Sequence, residues 1–160
     1  TELVRQLQAR SVRRQYAALV HGVVERGGSV EAALGRHPTL RTKMAVLGAG
    51  RHAVTHYAPL ERFARATLVQ CDLETGRTHQ IRVHMAHIGH PLVGDPTYGR
   101  RKSGSASFDA FARQALHAMR LGLIHPASGA AMEWQTSLPA DFAALLAGLR
   151  AESAAAARHD

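Results

Sequence analysis

Between Leu73 and Gly99 the chain reads LETGRTHQIRVHMAHIGHPLVGDPTYG, 27 residues that carry two arginines and four histidines. An arginine offers a flat, permanently charged fork that fits phosphate or carboxylate, and a histidine can bind a metal or move a proton near neutral pH. Metal binding is the weakest of these readings. His79, His84, His87 and His90 are five, three and three residues apart, with no His-x-x-x-His pair, and the stretch offers Asp95 but no cysteine. No metal is expected. Thr78 is a capping residue type, Ile81, Met85 and Ile88 recur at helical spacing, and Gly89 is a stop signal, so a helix is expected from Thr78 to about Ile88. With that apolar face toward the core, His79, Gln80, Arg82 and Val83 cannot all be buried. A strand end that delivers polar residues to a helix N-terminus makes an amide-rich, positive spot suited to an anion. A solvated basic helix face is the competing reading.

The elements that must position this stretch follow from the rest of the chain. One domain with a substantial core is expected of 160 residues. ELVRQLQARS reads as the end of a helix with Leu3, Val4 and Leu7 on one face, and QYAALVHGVV as a buried strand. ERGGSVEAALGRHP reads as a loop, followed by three strands in TKMAVLG, AVTHYAPLERF and ATLVQCDLE. Nothing between these strands is long enough for a helical crossover, so the sheet should be mainly antiparallel. Further on come a mobile loop in RRKSGSAS and a short helix in FDAFARQAL. HAMRLGLIHP and AMEWQTSL should pair across PASG, a closing helix is expected in DFAALLAGLR, and residues 149–160 should be a frayed tail. The class is α+β, with the helices flanking one side of the sheet.

Charge points to a partner. The formal net charge is +8, and 18 of the 20 basic residues are arginine, the others being Lys43 and Lys102. This balance suits RNA or DNA better than a membrane surface, although a general Arg and Ala bias would also produce it. No run of apolar residues reaches the length of a membrane span, no secretory signal opens the chain, and Cys71 is alone, so a reducing cytoplasm is the expected compartment.

The 27-residue stretch resembles the signature of the RluA-type pseudouridine synthases at almost every position. RRQYAALVHG is similar to that family's tyrosine strand, and RQALHAMRLGLIHPASG to its C-terminal strand pair. RHPTLRTKMAV is similar to a basic hairpin of the ribosomal large-subunit synthase D branch. The resemblance covers residues 1–148. It implies the pseudouridine synthase catalytic fold and an isomerase that detaches uracil from its ribose, turns it and rejoins it through C5, without cofactor or metal. The implied substrate is large-subunit ribosomal RNA, in particular the helix 69 stem-loop. On this reading Tyr16 stacks on the flipped base, its alternative being a core ring, and Arg82 pairs with the catalytic aspartate. Arg77, Thr78, His79 and Gln80 brace the active-site loop or meet phosphate, Arg14, Arg41 and Lys43 line an RNA cleft, and Leu116 is either the floor under the base or a plain core residue.

One departure matters. The family's nucleophile lies in a motif of the form HRLDxxTSG ahead of the tyrosine strand, and this chain has no aspartate before Asp72. Asp72 sits on a strand, and Asp95 in GDPTYG is accounted for by turn bonding. The expectation is therefore a C-terminal portion of a catalytic domain, incomplete at its N-terminus and without an S4-type RNA-binding domain. Such a chain should be inactive alone and should self-associate through an exposed sheet edge. The alternative is a catalytically dead RNA-binding module that keeps the basic cleft.

Overall fold

The computed structural model describes residues 1–9, 11–100 and 102–159. Twelve elements follow one another: α1 (Glu2–Gln8), β1 (Arg13–His21), β2 (Gly28–Glu31), β3 (Leu34–Arg36), β4 (Met44–Val46), β5 (Val54–Arg62), β6 (Ala66–Leu73), α2 (Gln80–His87), α3 (Ala106–Ala110), β7 (Leu116–Ile124), β8 (Ala131–Gln135) and α4 (Ala140–Ala157). Six strands form one sheet in the order β2-β5-β6-β1-β7-β8, and β3 pairs with β4 in a separate hairpin. Every pairing is antiparallel, as expected of the short connections.

The helices cover both faces of the sheet, where the sequence suggested one. In β1 the run Ala17–His21 is buried without alternation, because its two sets of side chains meet different helices. Ala17 and Leu19, with Ala66 and Leu68 of β6, pack against Phe142, Leu146 and Leu149 of α4 and Phe108 of α3. Ala18 and Val20, with Val69 and Cys71, pack against Ile81 and Met85 of α2. Bidentate pairs of Arg113 with Asp141 and of Arg150 with Glu61 moor α4 on the outside of its layer.

Several local expectations change. In α1, Thr1 caps the helix through Val4 N, Leu3, Val4 and Leu7 are exposed, and the buried residue is Gln6, whose amide exchanges two bonds with the Ile124 backbone of β7. A polar anchor has replaced the apolar face. The expected loop over 25–38 contains β2 and β3, strands of four and three residues that are too short for a pattern to reveal. The helix expected over 108–116 is α3, shifted toward its true cap, Ser105. From Phe111 the backbone is extended, and Leu116 already belongs to the sheet. The stretch 100–107 includes Arg101, outside the described residues as are Arg10 and Asp160. The expected tail is helical to Ala157, since alanine sustains a helix without packing.

Candidate active site

Tyr16 of β1, Leu116 of β7 and the start of α2 meet over one end of the sheet. The register sets Ala18 against Leu116 and Tyr16 against Ala118, so the two side chains share the face that α2 covers. There they line an open cleft of about 330 Å³ with Arg77, His79, Arg82 and Gln114. Both Tyr16 and Leu116 are only half-buried at the edge of the core, which leaves part of each on the cleft.

The turn before α2 is built by a side chain that looked polar and spare. Gln80 is buried and accepts from Thr75 Oγ1 (2.7 Å) and the Arg77 amide (3.0 Å), while its Nε2 donates to Val54 O (3.0 Å) and Thr55 Oγ1 (2.9 Å). It thereby ties the loop 74–77 to β5 and takes up an amide that an anion would otherwise have met. Of bracing the loop and meeting phosphate, Gln80 does the first. Thr78 is exposed in the turn and does not cap the helix; His79 is the N-cap, with a left-handed φ of 56°. Histidine tolerates that region better than most residues, and the bond of its Nδ1 to Tyr98 Oη (2.8 Å) holds it there.

The helix itself is buried nearly all round: Gln80, Ile81, Arg82, Val83, His84 and Met85 are all inside. The expectation that His79, Gln80, Arg82 and Val83 could not share burial holds only for His79, which stays half-exposed; α2 is wedged between the sheet, the β3–β4 hairpin and the 92–99 turn. Arg82 makes a bidentate pair with Asp95, Nε to Oδ2 at 2.8 Å and Nη2 to Oδ1 at 2.9 Å. Asp95 also accepts from the amides of Thr97 and Tyr98, the turn bonding expected of it, and its carboxylate is wholly shielded from solvent. Burial pushes the Asp95 carboxyl up, but the bonds from Arg82 and the two amides together outweigh it and hold the group ionised, below the usual aspartate range. The Tyr98 ring lies 5.1 Å from the Arg82 guanidinium carbon. Its hydroxyl accepts from the Met44 amide (2.8 Å) and is hydrogen-bonded to His79 Nδ1 (2.8 Å). Burial, then the charge of Arg82, pushes the His79 pKa down and keeps the ring neutral.

The remaining expected residues lie around this cleft. Arg14 sits beyond Tyr16, lining two neighbouring cavities. Arg41 is exposed in the turn between β3 and β4 and Lys43 is half-buried next to it; neither lines the cleft, and the Met44–Tyr98 bond ties their hairpin to the site. The four histidines of the stretch diverge. His84 bonds Thr55 and Ala32, His90 donates to His21 O, and no group of three or more potential metal ligands occurs among the described residues. Tyr98 was not expected at the site, and Asp95 was expected only as a turn residue, not as the partner of Arg82. Their signal lay in GDPTYG, but the 13-position separation of Arg82 and Asp95 gives no periodicity to follow.

A family model described as RNA pseudouridylate synthase matches residues 1–87, which carry the tyrosine strand, the hairpin and α2. The chain belongs to that family. The ribosomal large subunit pseudouridine synthase D of Nitrosomonas europaea is 55% identical over 152 residues, covering 93% of this chain and 44% of that protein. The enzyme of the same name from Escherichia coli is 51% identical over 160 residues, covering 95% and 49%. The chain spans about half the length of the curated relatives it matches. Among solved structures, human RNA pseudouridylate synthase domain containing 1 matches with a TM-score of 0.73 and 30% identity over 85% of this chain and 58% of that one. The human domain-containing protein 4 has the same fold, with a TM-score of 0.72 at 24% identity. As a pseudouridylate synthase chain, it places the tyrosine of β1 and the arginine of α2 on one cleft although they stand 66 positions apart in sequence.

Proposed function

We propose that the chain forms the base-binding half of an RNA pseudouridine synthase site, acting on uridine in large-subunit ribosomal RNA in the cytoplasm. The observation that carries this is the convergence of Tyr16, Leu116 and Arg82, from three separate elements, on one cleft. A flipped uracil would stack on Tyr16 over Leu116, with Arg82 at its polar edge. The guanidinium is oriented by Asp95 through Nε and Nη2, and its fixed positive charge beside the base would favour the ionised form of a carboxylate nucleophile there. The helix 69 stem-loop is the finer substrate proposal, resting on the likeness to the synthase D proteins.

A second reading has its own support: among the described residues no carboxylate lines the cleft, and Asp72 is bonded to Gln15 and Gln70 instead. On that account this chain binds RNA without performing the chemistry. Both readings expect no pseudouridine from the 160-residue chain in a tritium-release assay on 5-tritiated ribosomal RNA, and turnover by that chain would overturn both. Base binding is tested by Tyr16→Ala, which should weaken stem-loops with an extrudable loop uridine by about 1–3 kcal/mol and leave fully paired RNA unchanged. Equal losses on both RNAs would mean that the ring is only core.

A further inference from the structure

The turn that supplies Asp95 also borders a cavity of about 170 Å³ between residues 94–100 and α3, which shares no lining residue with the base cleft. His21, the last residue of β1, lines it. We propose that this cavity is a second nucleobase site, taking the lactam edge, an N–H next to a carbonyl, of a uracil or guanine ring. The proposal rests on the RNA-binding reading above only for the source of that base.

A buried polar group without a partner points to a ligand. His21 is 3% exposed, and its ring lies edge-on to Phe108 with centroids 5.7 Å apart, but it makes no hydrogen bond among the described residues. Its nitrogens are not sealed in, since Arg14 Nε is the one fully shielded side-chain atom of the described residues that lacks a partner. The imidazole therefore opens on the cavity. Burial, then the charge of Arg100, pushes its pKa down, so the ring is neutral, with one nitrogen to donate and the other to accept. Two opposite charges line the same space. Arg100 makes no ion pair among the described residues, and Asp109 takes its two bonds from Ser103 through Oδ1 alone (3.0 and 2.7 Å), leaving Oδ2 without a donor among those residues.

This lining decides the class of ligand. Asp109 repels an anion, Arg100 repels a cation, and an apolar ligand would leave all three polar groups unsatisfied. A neutral ring with a donor beside acceptors satisfies them: its N–H donates to Asp109 and its carbonyl accepts from Arg100, with His21 at the remaining polar atom. Phe108 and Phe111 supply apolar walls. A Cβ on Gly94 would collide with the carbonyls of Phe111 and Arg113, so the glycine lets that backbone close the site. The volume suits one small ring, being below the roughly 300–1,000 Å³ of pockets for drug-sized ligands.

The test follows the His21 imidazole by NMR in the 160-residue chain, its resonances assigned by their nuclear Overhauser contacts with the Phe108 ring. Uridine and guanosine, up to about 10 mM, should shift them saturably. Adenosine, which has no lactam, and 3-methyluridine, whose N3 cannot donate, should bind at least about tenfold more weakly. Asp109→Asn, at an exposed residue outside the core, should weaken uridine and guanosine by a similar factor. The shift should persist in Tyr16→Ala, which separates this cavity from the base cleft. A uridine-loop RNA that moves the same resonances in the native chain but not in Asp109→Asn identifies an unstacked RNA base as the occupant, and a response to nucleosides alone identifies a free nucleoside. No saturable shift from nucleosides or RNA overturns the proposal, as does a shift that 3-methyluridine or inorganic phosphate matches. A shift unchanged by Asp109→Asn, or lost in Tyr16→Ala, overturns it as well. None of these outcomes touches the base cleft, which stands or falls on the loss of looped RNA in Tyr16→Ala.

Discussion

The two faces of the central sheet are stabilised by different physics. Under α4 the contact is mostly apolar: Phe142 and Leu146 are fully buried against Ala17, Leu19, Phe63 and Leu68, and the buried polar group beside them is His21, edge-on to Phe108. Under α2 the core is threaded with groups that must each find a partner: Thr55, Thr75, Gln80, Arg82, His84 and Asp95. Apolar packing tolerates small shifts, whereas a buried polar network fixes distances and orientation because any loose member is costly. The cleft opens on the second face. A site that must hold a base beside an arginine needs that fixity, and the first face serves as ballast for it.

The largest expected effect is on the polar side. Asp95→Ala strands the Arg82 charge and should lower stability by about 3–5 kcal/mol in urea unfolding, while also disordering Arg82 and weakening RNA binding at conditions where the chain is still folded. Phe142→Ala should cost a similar 3–5 kcal/mol but leave the affinity of the folded fraction for RNA unchanged. If both variants lost RNA affinity alike, the division of labour between the faces would be wrong.

Smaller effects sharpen the contrast. Gln80→Ala leaves the Arg77 amide and the Thr75 hydroxyl without their acceptor and should cost about 1–3 kcal/mol, with hydrogen exchange at residues 74–79 rising more than in α4. Acid should act on the same face. His84 Nε2 donates to Ala32 O and Nδ1 accepts from Thr55, a neutral ring whose pKa burial pushes below 6.5. The unfolded chain then binds a proton that the folded one refuses, so this stability is complete above about pH 6.5 and falls as the pH drops below it. A His84→Asn variant should show a shallower fall of urea midpoint between about pH 7.5 and 5.5 than the native chain, the remaining slope coming from His21 and His79, whose pKa values burial also lowers.

The least effect concerns the uncovered end of the polar face. Beyond Tyr16 the side chains of Leu121 and Trp134 are exposed, and β8 is an edge strand of five residues, far shorter than the long open edge that the sequence suggested. Weak self-association, concentration-dependent in sedimentation and removed by Trp134→Lys, is expected there.

How much of this was legible in the sequence differs element by element. The long strands β1, β5 and β6 and the β7–β8 hairpin could be read because their apolar runs exceed the turns between them. β2 and β3 could not, being held by pairing partners distant in the chain, Val30 with Thr55 and Leu34 with Val46. Tyr16 and Arg82 were legible as functional residue types, but their meeting on one cleft was not. The role of Gln80 was open between two readings, since a glutamine's partners are known only when its four neighbours are in place.

By itself the sequence determined the class of fold, the strand directions and the residue types of an RNA site, because alternation, short connections and the TGRTHQIR motif are local properties. Only the tertiary structure decided that helices cover both faces and that Asp95, rather than solvent, receives Arg82. It alone decided that Gln80 closes the turn from inside. Burial is the reason: a side chain's polarity is written in its residue type, but whether it meets water, a base or another side chain depends on what the rest of the chain packs against it.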